Sequence, residues 1–136
     1  MAKSTIKVDI TPSDKLNIDL RDQATGIIKD ICRGIVSEAK RLMRLPKSGR
    51  MYKGFYGQAH IASAPGEAPA IDSGNLYNKI RSRKISDLNY RVTVPVPYGG
   101  YLEFGTKRMK PRPYIKPAIS ANRSRLIRSA LLRSKK

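Results

Sequence analysis

Cys32 and His60 are the only cysteine and the only histidine in this chain, and they are the residues best suited to nucleophilic or metal chemistry. Neither has company. A lone thiol cannot close an intrachain disulfide, and one thiol with one imidazole gives no metal-ligand spacing. Disulfide scaffolds and zinc modules are thereby excluded, and no metal or cofactor is expected. His60 has no Asp, Glu or Cys partner near it in sequence, and Cys32 has no candidate base, so a buried thiol is expected rather than a nucleophile. After residue 68 the only carboxylates are Asp72, Asp87 and Glu103, and none forms a pair spaced for acid–base work. The chain contains no P-loop, no G-x-G-x-x-G and no G-x-S-x-G. Enzymatic activity is not expected.

What the chain has in excess is positive charge. Its 136 residues, enough for one domain with a real core, hold 28 Lys and Arg against 10 Asp and Glu, a net charge of +18. Solubility needs far less, so a polyanionic partner is implied, with nucleic acid the first candidate. From Lys107 onward there are eleven Lys or Arg and no acid. That segment is either an electrostatic footprint for phosphates or a solubilising tail. Its interleaved Ile115, Ile119, Leu126, Ile127 and Leu131 favour a packed helix. No homeodomain, zinc-finger or RNP-type aromatic signature is present, so binding by charge without base readout is the inference. No 18 apolar residues run together and the first residues lack a signal-like apolar stretch. The expectation is a soluble protein of a reducing cytoplasm, without a membrane partner.

The elements that must carry this charge follow from periodicity. Ile6, Val8 and Ile10 alternate with Lys7 and Asp9, a half-buried strand ended by Thr11-Pro12. Over residues 20–45, apolar residues recur in three- and four-residue steps, predicting a helix of about seven turns stopped by Pro46. Its apolar arc, with Cys32 at the edge, is wider than one sheet requires, so one flank is expected to face another subunit. The opposite side carries Lys29, Arg33, Lys40, Arg41 and Arg44. Residues 46–71 have no sustained period and read as a long loop. Tyr52, Phe55 and Tyr56 in it argue for ordering against a partner, and a mobile insertion is the alternative. Asp72-Ser73 is expected to cap a short helix through Ile80. A hairpin follows, with strands at 80–86 and 90–96 and a turn at 87–89. Pro95 and Pro97 place its second strand at a sheet edge. One or two helical turns at 98–104 end at Gly105, and a last helix runs over 117–134.

Residues 64–118 contain A-P-G-E-A-P-A-I-D-S-G-N-L, then the strand pair, then Y-L-E-F-G-T, then R-P-Y-I-K-P-A. That order closely resembles the tail-component family of long-tailed double-stranded-DNA bacteriophages, the small neck or tail-completion proteins. The matching segments are 64–76, 101–106 and 112–118, with the long preceding helix a looser match. Gly99-Gly100, where the family carries a bulkier residue, and the very basic C-terminus depart from the pattern.

The resemblance implies a structural virion protein, made in the host cytoplasm, that joins head to tail. It implies a homo-oligomeric ring, sixfold by expectation, around the channel for double-stranded DNA ejection, in contact with other neck and tail proteins. A sequence-independent nucleic-acid-binding monomer is the alternative, and a tail-terminator or tail-tube ring a third. The expected fold is one α+β domain, 1–136: a small antiparallel sheet of the N-terminal strand and central hairpin, packed with the long first helix and the C-terminal helix. Residues 119–136 form its basic helical end. Expected subunit or partner contacts are Tyr52, Phe55, Tyr56, Tyr101, Glu103, Phe104, Arg112 and Tyr114. Glu103, the lone acid in a basic neighbourhood, is expected to pair with an arginine such as Arg112, a solvated glutamate being the alternative. Phe104 is expected to be buried. Candidates to face DNA or an acidic partner are Arg33, Lys40, Arg41 and Arg44, and Arg123, Arg125, Arg128 and Arg133.

Overall fold

The computed structural model of the chain describes residues 6–10 and 18–134, with side chains described at 6–8, 22–125, 127 and 128. The two clearest periodicities become β1 (Ile6–Ile10) and α1 (Ile18–Arg44). Thr11 and Pro12, the expected end of the strand, lie outside the described residues. α1 stops just before Pro46, whose ring disfavours helical backbone in the residue ahead of it. Lys47 finishes the helix by donating to the Leu42 carbonyl at 2.7 Å. Burial holds that ammonium's pKa below its usual value.

The loop expected at 46–71 is instead organised around a small hairpin, β2 (Met51–Lys53) and β3 (Ala59–Ile61), with Tyr52 opposite His60. A short helix, α2 (Asn75–Lys79), follows. Its N-cap is Gly74 at φ +85°, and Ser73 rather than Asp72 assists, its Oγ accepting from the Asn75 N–H at 3.3 Å. Asp72 turns back to the hairpin.

β4 (Arg81–Ser86) and β5 (Asn89–Val94) form the central hairpin. Its turn is only Asp87-Leu88, because Asn89 already belongs to β5. Leu88 has φ +61°, uncommon for a branched residue, and is buried, so core contacts hold it there. The sheet order is β1-β5-β4, all antiparallel. β5 is therefore the central strand and not an edge. Pairing ends at Val94, so Pro95 and Pro97 fall beyond the ladder and cost it no donor.

Two six- and twenty-residue helices complete the fold, α3 (Gly99–Phe104) and α4 (Ile115–Ser134). α1 packs against β5 and β4 on one flank and against α4 on the other, so both flanks of its wide apolar arc are used within the chain. The width of the arc is accounted for within the chain, without a second subunit. Cys32, Ile35, Ala39, Val92, Val94 and Tyr114 are at the centre of the core. Where α1 crosses α4, a Cβ on Gly34 would lie 2.2 Å from Asn122 Oδ1, so any larger residue there would have to push the Asn122 amide out of its place. α4 is buried at Tyr114's neighbours Ile115 and Ala118 and at Asn122, whereas Ile119 and Ile127 are exposed. The expected apolar packing of the basic helix thus holds for its first two turns. The side chains of Leu126, Leu131 and Arg133 lie outside those described.

Candidate functional site

The first turn of any helix leaves four main-chain N–H groups without intrahelical partners. At α4 these belong to residues 114–117. Glu103, on the inner side of α3, accepts from three of them: Tyr114 at 2.8 Å and Ile115 at 2.9 Å through Oε2, and Lys116 at 2.8 Å through Oε1. The fourth position is Pro117, which has no N–H to satisfy. One carboxylate and one proline thus account for the whole helix start, and the negative charge sits where the helix dipole favours it. This corrects the expected Glu103–Arg112 ion pair. The acid is buried, and its partners are main-chain amides rather than a guanidinium. Arg112 instead donates its own N–H to the Leu102 carbonyl at 2.6 Å.

The rest of the segment supports this clasp. The Tyr114 hydroxyl donates to the Gly99 carbonyl at 2.9 Å, and a Cβ on Gly99 would lie 2.9 Å from Val94 Cγ1 and 3.1 Å from that hydroxyl. The departure to glycine at 99 therefore has a local cause. Burial, with the Glu103 charge second, pushes the Tyr114 phenol well above its usual pKa. Gly105 turns the chain at φ +76°, and Thr106 Oγ1 accepts from the amides of Arg108 and Met109 at 3.2 and 3.1 Å. The Gly66 N–H reaches the Pro111 carbonyl at 3.0 Å. Glu67 beside it gathers the Ser48 hydroxyl, the Ala64 N–H at 2.9 Å and the Ser48 N–H at 3.1 Å.

Those hydrogen bonds, the Ser48 hydroxyl foremost, hold the Glu67 carboxyl at about 2, down from 4.5. A carboxylate depressed in this way stabilises the folded form fully above its unfolded value and loses that contribution as pH falls towards the folded one. The hairpin base should accordingly be equally firm at pH 7 and 5 and loosen between about 4.5 and 2. Amide exchange at Ser48 and Ala64 reads this directly. An identical pH profile in Glu67→Gln would show that the carboxylate has no part in it.

With the clasp facing inward, the aromatic residues of the same segment face out. Tyr101 and Phe104 share the outer side of α3, and Phe104 is 73% exposed, which overturns its expected burial. In the hairpin the Gly57 N–H bonds the Gly54 carbonyl at 2.9 Å, placing Phe55 and Tyr56 at the two central positions of a tight turn. Both are 71% exposed, with ring centroids 5.1 Å apart. The Phe55 N–H donates to Asp72 Oδ1 at 2.6 Å, so this aromatic tip is tied to the body of the domain. Of the expected contact residues, Tyr52, Phe55, Tyr56, Tyr101 and Phe104 are thus at the surface, while Glu103 and Tyr114 are internal and Arg112 is half-buried.

A cleft of about 330 Å³ between hairpin and α2 is lined by Tyr52, His60, Asp72, Tyr98 and Arg112 among others. It brings His60 near Asp72, which the sequence did not foretell. Asp72 serves the Phe55 amide, and His60 stacks edge-on against Tyr52 at 5.1 Å. Ser63 and Ser73 also line the cleft, the Ser73 Oγ accepting from the Asn75 N–H, and among the described residues no three His, Cys, Asp or Glu side chains are grouped to hold a metal.

The basic candidates divide. Arg41 is bound to Glu38 at 2.7 Å, and the Lys40 ammonium lies 5.1 Å from the Tyr77 ring centroid. Arg33, Arg44, Arg123, Arg125 and Arg128 are exposed and make no ion pair among the described residues.

No protein-family model, curated protein or solved structure matches this chain.

Proposed function

We propose that this chain is a structural virion protein of the neck or tail of a long-tailed bacteriophage, forming a ring that completes the tail and joins it to the head around the DNA channel. The observation that carries the reading is the convergence of the pieces of the resemblance. Gly66 of the first bonds Pro111, the residue just ahead of the last piece, and Glu103 of the Y-L-E-F-G-T piece accepts from Tyr114, Ile115 and Lys116 of that last piece. Their order in sequence thus serves one built structure, which supports membership more than any short motif does. The outward aromatics supply the surface a ring would bury, since Tyr and Phe are enriched at such contacts.

Charge sets a limit on what DNA can neutralise. Six copies at +18 each bring about 108 positive charges. Duplex DNA crossing a ring about 40 Å tall presents only about 24 phosphates. Most of the charge therefore meets something else, and the exposed arginines of α1 and α4 fit an acidic neck or tail protein.

Electron micrographs of particles made without this chain should show DNA-filled heads separate from tails, and normal particles would end the proposal. Phe104→Ala sharpens the test. Its ring is exposed, so the variant should fold with stability within about 0.5 kcal/mol of the parent yet fail to support head–tail joining. A variant that joins normally would remove Phe104 from the interface.

A further inference from the structure

Arg112 is fixed by its backbone on both sides, yet its guanidinium has no partner among the described residues. Its own N–H donates to the Leu102 carbonyl at 2.6 Å, the Pro111 carbonyl before it accepts from the Gly66 N–H at 3.0 Å, and Pro113 follows. From this held stretch the side chain lines the cleft of about 330 Å³. The Nε–H is buried without an acceptor, and the group makes no ion pair among the described residues. Native folds rarely leave a buried donor unpaired, least of all on a charged group. Tyr98, on the same cleft, adds a second donor. Its hydroxyl oxygen accepts from Asn75 Nδ2 at 3.0 Å, which leaves its own O–H to donate elsewhere.

We infer that this cleft binds a carboxylate carried by an acidic peptide segment of a partner protein, with Arg112 as the anchor. On a guanidinium the Nε–H and an Nη–H lie side by side and match the two oxygens of a carboxylate. Phosphate fits less well. Asp72 lines the same cleft and Arg112 is the only Lys or Arg among the lining residues, so a dianion would meet one positive and one negative charge. The remaining walls suit a peptide. Tyr52 and Tyr98 line the cleft while 44% and 40% exposed, and Leu76 and Leu102 give it apolar surface. Aromatic rings beside an arginine are the residue types that carry most protein–protein contacts. The volume lies at the small end of the range for ligand pockets, about 300 to 1,000 Å³, which suits an acidic side chain and its neighbour. The inference concerns the free chain and stands whether or not copies of it close a ring.

Nitrogen-edited NMR of the full chain reads the Arg112 Nε–H directly, with an end-blocked Ala-Phe-Glu-Phe-Ala peptide as the probe. The peptide should shift that resonance and the Asn75 side-chain amide to saturation. The same peptide with glutamine in place of the glutamate should bind roughly tenfold more weakly. Arg112→Lys should weaken binding at least about fivefold, because an ammonium cannot pair side-on, and Tyr98→Phe should weaken it about fivefold. Lys107→Gln, which removes one exposed charge before α4, should change affinity less than about twofold. If Arg112→Lys fails to melt like the parent, the glutamine peptide and Tyr98→Phe decide. Equal affinity for the two peptides would overturn the inference, as would tighter binding of inorganic phosphate, or equal losses from Lys107→Gln and Arg112→Lys. So would an Nε–H that answers no probe, which would mean that water satisfies it, or one that moves on diluting the chain alone, the mark of a second copy seated there.

Discussion

Replacing Glu103 with alanine is expected to cost about 3 to 5 kcal/mol of folding stability. The substitution leaves the N–H groups of Tyr114, Ile115 and Lys116 without an acceptor, two of them at buried residues. Each buried donor left unmade costs about 1 to 3 kcal/mol, and water reaching Lys116 recovers part of the loss. Domains of this size have about 5 to 15 kcal/mol to lose. Glu103→Gln should cost roughly half as much as alanine. Its amide oxygen can replace Oε2 towards Tyr114 and Ile115, but the amide nitrogen then faces the Lys116 donor. Urea unfolding of both variants decides the matter. An alanine variant within about 0.5 kcal/mol of the parent would mean that the helix start finds other acceptors and that the clasp is incidental.

The second large effect is expected at Tyr114, the largest fully buried side chain. Truncation to alanine removes a ring that touches the core at the junction of α3, α4 and β5, with an expected cost of about 3 to 5 kcal/mol. Tyr114→Phe keeps the ring and loses only the bond to the Gly99 carbonyl, for about 1 kcal/mol. The gap between the two variants measures packing against hydrogen bonding at one position. Equal costs would show that the hydroxyl, rather than the ring, anchors the turn.

The long helix and the strand at 6–10 were legible because their apolar periods run over many residues and burial enforces them. The hairpin at 51–61 was not. Its strands are three residues each and β2 is exposed along its whole length, so no alternation of burial was imprinted on the sequence. β5 was read as an edge strand because the prolines were counted inside it, whereas its last paired residue is Val94. Phe104 and Glu103 were exchanged in role for a physical reason. A helix of six residues is too short for periodicity to say which side is inward, and hydropathy favours the phenyl ring. The acid went in because three main-chain amides needed it, a demand invisible until α4 is placed beside α3. The pairing of β1 with β5 left no local signal either, because the two strands lie far apart in the chain.

That separation has a consequence for the order of folding. The β4–β5 hairpin closes across two residues, but Ile6 finds Val94 only by closing 88 residues, from 6 to 94. Loop-closure entropy rises only as the logarithm of length, yet it must be met before the β1 ladder returns anything. β1 is therefore the last strand to dock and the first to leave. When it does, the unpaired side of β5 becomes a template that another copy's β1 fits in the same register. At high concentration the chain thus has a built-in route to strand exchange between copies, one that needs no contact absent from the single domain.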